Sequence, residues 1–163
     1  GATLDVTGAT VTGLSAGKIL QIVEGSSSTQ QDNSTTTLTD IGLSVAITPS
    51  SSSSKVLVMV SFPVRFNKSS NYYSNGMFAL LRDSTVIIDR SGSNVQDFGM
   101  EAGALGSSGS VVLNIKMHMQ ILDSPSTTSA TTYKVQSAGF ASTTVNNMWN
   151  DQKGSIIAME VSA

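Results

Sequence analysis

KVLVMVSFPVRF, running from Lys55 to Phe66, is the most strongly apolar stretch of a Ser/Thr-rich chain. Val56, Val58, Val60, Phe62, Val64 and Phe66 occupy alternate positions, and alternate side chains of a pleated strand leave the same face. They make one apolar wall that must be buried. The opposite face carries Lys55, Leu57, Met59, Ser61, Pro63 and Arg65, apolar in its first half and polar in its second. Pro63 cannot donate a ladder hydrogen bond, so the strand is expected at a sheet edge there, or bulged. No segment has the periodicity of a long amphipathic helix that could cover the wall. The expected class is therefore all-β, with two sheets face to face.

Working outward, Val111, Leu113, Ile115, Met117, Met119 and Ile121 form one face of a second long strand within Ser110 to Asp123, with Val112, Asn114, Lys116, His118, Gln120 and Leu122 on the other. Lys18 to Glu24 predicts the first strand, and Ser34 to Asp40 and Leu43 to Thr48 a pair broken near Gly42. Met77 to Leu81 and Thr85 to Asp89 predict a hairpin around Arg82-Asp83-Ser84. Tyr133 to Phe140 and Gly154 to Ser162 complete about eight strands. Gly25 to Asn33, Asn67 to Asn75 and Ser142 to Lys153 are expected as polar surface loops, and Arg90 to Ser110 as an irregular excursion over the domain or against a neighbour. Ser50 to Ser54 reads as a solvated turn.

The chain has 163 residues, the size of one domain. Residues 1–17 are expected to form an N-terminal stalk or arm and 18–163 a sandwich domain. The arm repeats Val6-Thr7-Gly8 as Val11-Thr12-Gly13, one small apolar residue every few positions. That is too little for one chain to bury alone, and several copies wound together would suffice; a flexible linker or an edge strand is the plainer alternative. Charged residues are 12%, the net charge is −2, and Cys is absent, so stability must come from packing or association. This balance gives no basis for nucleic-acid binding, and no apolar run is long enough for membrane insertion. Starting at Gly1, the chain is expected to be a fragment or a processed product.

Chemistry-bearing residues are few. His118, the one histidine, lies between Lys116 and Gln120, which does not favour a general base; it is expected at a surface or interface, with a metal ion shared by three copies on an axis as the bolder alternative. Acidic residues are scattered, and no phosphate-binding glycine loop is present. Neither catalytic residues, metal ligands nor a cofactor are expected. Tyr72 and Tyr73 are candidates for receptor binding because Tyr gives contact area at low entropic cost, unless they merely begin the next strand. Trp149, the one tryptophan, is a third candidate, able to stack on a sugar or fill a partner's pocket, unless it packs on its own domain. Leu57, Met59, Val112 and Leu122 fall on faces that should be outside; with Val6, Val11 and Leu14 of the arm they are the candidate trimer interface.

GKILQIVEG at Gly17 to Gly25, TDIGLSVAITPSSSSSKVLVMVS at Thr39 to Ser61, FALLRDSTVI at Phe78 to Ile87, DSPSTTSATTYKVQ at Asp123 to Gln136 and SIIAMEV at Ser155 to Val161 together resemble the C-terminal knob module of bacteriophage tail-fibre and related virion proteins. The resemblance spans Gly17 to Ala163, and the Val-Thr-Gly repeats are similar to the shafts preceding such knobs. It implies a jelly-roll-like antiparallel β-sandwich, homotrimeric, exposed on the virion, without catalytic residues. The function expected is a trimeric virion knob that binds a host-surface glycan or protein through loops, joined to other virion proteins by its arm. The alternative is a trimeric capsid decoration or cement protein on the phage head, and a third reading is a carbohydrate-active depolymerase tip.

Overall fold

The computed structural model describes residues 18–68, 73–88, 99–103, 111–140 and 143–162. The stalk or arm of residues 1–17, with Val6, Val11 and Leu14, and Tyr72 lie outside the described residues. The described residues are all-β, in two antiparallel sheets. The strands are β1 (Ile19–Ser27), β2 (Gln31–Asn33), β3 (Thr39–Ile47), β4 (Lys55–Lys68), β5 (Tyr73–Arg82), β6 (Thr85–Ile88), β7 (Gly99–Gly103), β8 (Val111–Asp123), β9 (Thr131–Phe140), β10 (Thr144–Asn147) and β11 (Gly154–Val161). The larger sheet runs β1-β11-β4-β10-β2 with β8 also paired to β4; the smaller runs β3-β9-β5-β6 with β7 also paired to β5.

β4 is the spine of the larger sheet, and its six alternate apolar residues are all buried. They face Ile41, Leu43, Val45, Phe78, Leu80, Tyr133 and Val135 of the smaller sheet in one core. Phe78 meets Phe62 and Phe66 edge-on, with centroids 5.6 and 6.1 Å apart. Such T-shaped contacts add to the burial energy of the rings.

Pro63 corrects the expectation of an edge or a bulge. β8 pairs with β4 in unbroken register from Val56↔Asp123 to Lys68↔Val111, through Pro63↔Lys116. On the other side β11 covers Lys55 to Ser61 and β10 covers Val64 to Asn67. Pro63 sits at the seam between them, where its carbonyl accepts from the Met148 N–H at 2.9 Å. In an antiparallel strand a residue's N–H and C=O point to the same side. The missing donor therefore falls in the seam, and no ladder bond is lost.

Each of the three expected loops contains strand. β1 continues through Ser27 and β2 occupies Gln31–Asn33, so the segment 25–33 is a loop only around residues 28–30. A Cβ on Gly25 would collide with the Ser44 carbonyl oxygen of β3; glycine here permits close approach of the sheets and does not mark a turn. In 142–153, β10 is followed by a 3-10 turn at Trp149–Asp151, and Val145, Asn146, Asn147 and Met148 are buried. β4 and β5 take up both ends of 67–75. Tyr73 starts β5, opposite Gly103 of β7. The excursion at 90–110 lies outside the described residues except for β7 and its pairing to β5. Thr39–Ile47 is a single strand with a register shift between Asp40 and Ser44, where Gly42 adopts φ 75°, a conformation that favours glycine.

Buried polar groups close the structure. Asn33 Nδ2 donates to Ser137 O at 2.6 Å and Thr39 Oγ1 at 2.8 Å, and Asn147 Nδ2 to Gln31 O and Ser137 Oγ at 2.9 and 2.8 Å. Glu160, with no exposed surface, accepts from Gln21 Nε2 at 2.6 Å and from the N–H and hydroxyl of Ser50, both at 2.7 Å. At the same end of β4 that pairs with Asp123, Arg82 Nη1 donates to both Asp123 oxygens at 2.9 Å and Tyr133 OH to Oδ2 at 2.7 Å, joining β8 to the smaller sheet. Burial first, then the hydrogen bond and charge of Asp123, push the Tyr133 phenol well above its ordinary range. Tyr133→Phe is expected to cost about 1.5–3 kcal/mol, the worth of a buried hydrogen bond to a charged group. Urea unfolding measures it; a midpoint equal to the wild type would show that the hydroxyl contributes nothing.

Candidate functional site

The outward face of the larger sheet divides into two halves because its strands are in register. Ile22 lies opposite Met159, Met159 opposite Leu57, and Leu57 opposite Leu122. Directly opposed residues of an antiparallel pair share a face, so these four form one apolar row across four strands. Ile22 is 59% and Leu122 50% exposed. In the next row Ile157 lies opposite Met59, flooring a shallow cavity of about 530 Å³ that also takes in Ser61, His118 and Gln120. Ser61 and His118 are directly opposed. Among the described residues no hydrogen bond joins them, and no group of three or more His, Asp and Glu could hold a metal ion.

Further along β4 the face turns polar and cationic. The Arg65 guanidinium lies over the Trp149 ring, 4.0 Å from its centroid. Trp149 lines a groove of about 420 Å³ with Pro63, Asn114, Lys116, Gln152 and Lys153. Lys153 reaches Glu24 at 3.5 Å, with both side chains more than half exposed, where an ion pair is worth little. Lys116 makes no ion pair among the described residues. Arg65 Nε and the Oδ1 of Asn146, its cross-strand neighbour, are buried without a hydrogen-bond partner among the described residues.

The backbone beneath the tryptophan is strained. Met148, Asn150 and Asp151 have φ of 49°, 59° and 54°, the left-handed region that costs a non-glycine residue roughly 1 kcal/mol. Ties from elsewhere hold it: Met148 N–H to Pro63 O, Asn150 N–H to Gln30 Oε1 at 3.1 Å, and Gln30 N–H to Asp151 Oδ1 at 3.3 Å. Trp149 is thus fixed at the rim of the sheet by β10 on one side and the β1–β2 turn on the other.

The structure puts Leu57, Met59, Val112 and Leu122 on one sheet face, as their outward positions require, but Val112 pairs opposite Asn67, ten residues along β8 from Leu122, and so lies beyond the apolar row at the polar end where Trp149 sits. Tyr73 belongs to the smaller sheet. Arg65, Asn114, Lys116, Asn146 and Lys153 were not singled out as binding residues. Strand alternation already places Arg65 and Lys116 outward, but only the register, with Pro63 opposite Lys116 and Arg65 opposite Asn114, makes them neighbours. On the smaller sheet, burial works against the charge of Asp40, but hydrogen bonds from Gln136 and Lys134 outweigh it and hold the carboxyl below the usual range; the Lys134 pair is 2.9 Å long.

Fold and face together define an all-β protein of two antiparallel sheets with one outward face split between apolar and cationic halves. Beyond that class, the chain matches no protein-family model and no curated protein sequence.

Proposed function

We propose that the chain is the knob of a bacteriophage virion fibre, a non-enzymatic, jelly-roll-like sandwich that assembles as a homotrimer on its N-terminal arm and attaches the particle to a host-surface glycan. The observation that carries this is the division of the larger sheet's outer face. Its apolar half is suited to copies of the same chain, since contiguous exposed apolar surface usually marks an interface. Its cationic half, with a fixed tryptophan, is left for a ligand. The arm joins the trimer to the rest of the virion, and the segments that resemble fibre knobs supply the viral setting.

Sedimentation at micromolar concentration tests the assembly. The expected species has three times the 16.9 kDa chain mass, and the double variant Leu57→Asp, Leu122→Asp is expected as a folded single subunit, because facing carboxylates within an apolar contact are desolvated and repel. A wild type that sediments as a compact single chain overturns the trimer. Attachment is tested by adsorption: the purified knob should compete with phage for host cells, and a folded trimer that never competes removes the host-binding role.

A further inference from the structure

The cationic groove can be assigned a ligand class more definite than a glycan. We infer that the groove between Trp149, Lys116 and Lys153 binds an anionic saccharide, its ring against the tryptophan and its carboxylate or sulfate on the two ammonium groups. The biological setting of this inference rests on the attachment reading above; the binding itself does not.

Five observations converge on it. The chain carries a net charge of −2, yet three of its cations, Arg65, Lys116 and Lys153, meet at this one place. Lys116 has no ion pair among the described residues and the ion pair of Lys153 is loose, so both ammonium groups can turn to an incoming anion. The guanidinium fixes the indole from one side, so a sugar that packs on the ring finds it already oriented and little freedom is lost on binding. Gln152 and Asn114, also lining the groove, supply amide donors and acceptors suited to hydroxyls. Around them the chain tolerates costs that a merely structural rim would shed: the left-handed residues Met148, Asn150 and Asp151 and the buried atoms of Arg65 and Asn146 that find no partner among the described residues. Strain and unpaired polar groups of this kind concentrate at functional sites.

A flat anionic peptide would satisfy the lysines but would leave the tryptophan face unused, and a neutral sugar the reverse. The combination favours a molecule having both properties. The apolar row lies six to eight residues away along β4, about 20–27 Å at 3.4 Å per residue, so association through that row leaves the groove open.

The one tryptophan of the chain makes its own fluorescence the reporter. Oligogalacturonide and chondroitin-sulfate hexasaccharides, a maltohexaose control and a hexa-aspartate peptide are titrated into the intact protein at low salt, with calorimetry alongside. At least one anionic sugar is expected to shift the emission and to bind about tenfold or more tightly than either control. Lys116→Ala, at an exposed site, should weaken that binding about tenfold, and 0.5 M salt should weaken it similarly. Trp149→Ala, followed by calorimetry, should reduce it at least as much. No binding by either anionic sugar, equal binding by hexa-aspartate or maltohexaose, or affinity unchanged in Lys116→Ala overturns the inference. Such a failure leaves trimerisation and adsorption to be judged by their own measurements, and a knob that binds the sugar without competing for host cells would sink the attachment reading alone.

Discussion

Replacing Phe78 with Ala is expected to lower the unfolding free energy by about 3–5 kcal/mol, the usual cost of deleting a buried aromatic ring. The ring is 1% exposed and lies between Phe62 and Phe66 of the opposite sheet. Its neighbours belong to β4, which is bonded on both sides and cannot move inward to fill the gap. The loss thus includes both transfer energy and an unrelieved cavity. Against a typical total of 5–15 kcal/mol, that is a large share of the stability. Phe78→Leu keeps most of the volume and should cost under about 2 kcal/mol. Urea midpoints for the two variants provide the check, and a loss below about 1 kcal/mol for Phe78→Ala would show that the sheets are not held together here.

The second large effect is at Glu160 and depends on pH. Burial raises the pKa of this carboxyl, but hydrogen bonds from Gln21, Ser50 and Ser54 overcome it and lower the value from 4.5 to about 2. A folded-state pKa below the unfolded one means that the folded state holds its proton less tightly. The resulting stability is fully present above the unfolded value, near 4.5, and is lost as pH falls toward 2. Glu160→Gln keeps the shape but turns an amide N–H toward donors, so a cost of about 1.5–3 kcal/mol at neutral pH is expected. The acid limb between about pH 4.5 and 2 should flatten in the variant. Chemical denaturation at pH 3 and pH 7 distinguishes the two proteins: wild type should lose more stability between them than Glu160→Gln, and parallel losses would refute the role of the carboxylate. The same contacts explain the placement of the Ser-rich turn at 50–54. It caps a buried charge that anchors the start of β4 to β1 and β11.

Trp149 shows how position in the fold changes the meaning of a residue. A tryptophan in the polar segment 142–153 suggests a loop residue. In the structure it opens the 3-10 turn that follows the buried strand β10, held at the margin of a sheet against an arginine of β4. Its neighbours on either side in sequence, Met148 and Asn150, take left-handed backbone conformations, so the segment turns sharply enough to lay the indole back across the sheet. The lysines that complete the groove come from β8 and from the residues preceding β11.

The sequence by itself determined the class and the inner face. The alternation of valine and phenylalanine in Lys55 to Phe66, and of Leu113 to Ile121, names the buried side of both long strands, because a period of two is a local property of an extended chain. It also put Leu57, Met59, Val112 and Leu122 outside. Only the tertiary structure decided that β2, β7 and β10 are strands at all. Apart from Met100, Ala102 and Val145, their residues are Gln, Asp, Asn, Gly, Glu and Thr; Val145 joins the apolar core, but Asn33 and Asn147 are buried through side-chain hydrogen bonds across strands, which leaves too little hydrophobic pattern to read. Register likewise escapes the sequence: which residue of β8 faces which residue of β4 depends on pairing between segments some fifty positions apart. That register gathers four outward apolar residues into one row and two lysines with an arginine around one tryptophan, and so divides one sheet face in two.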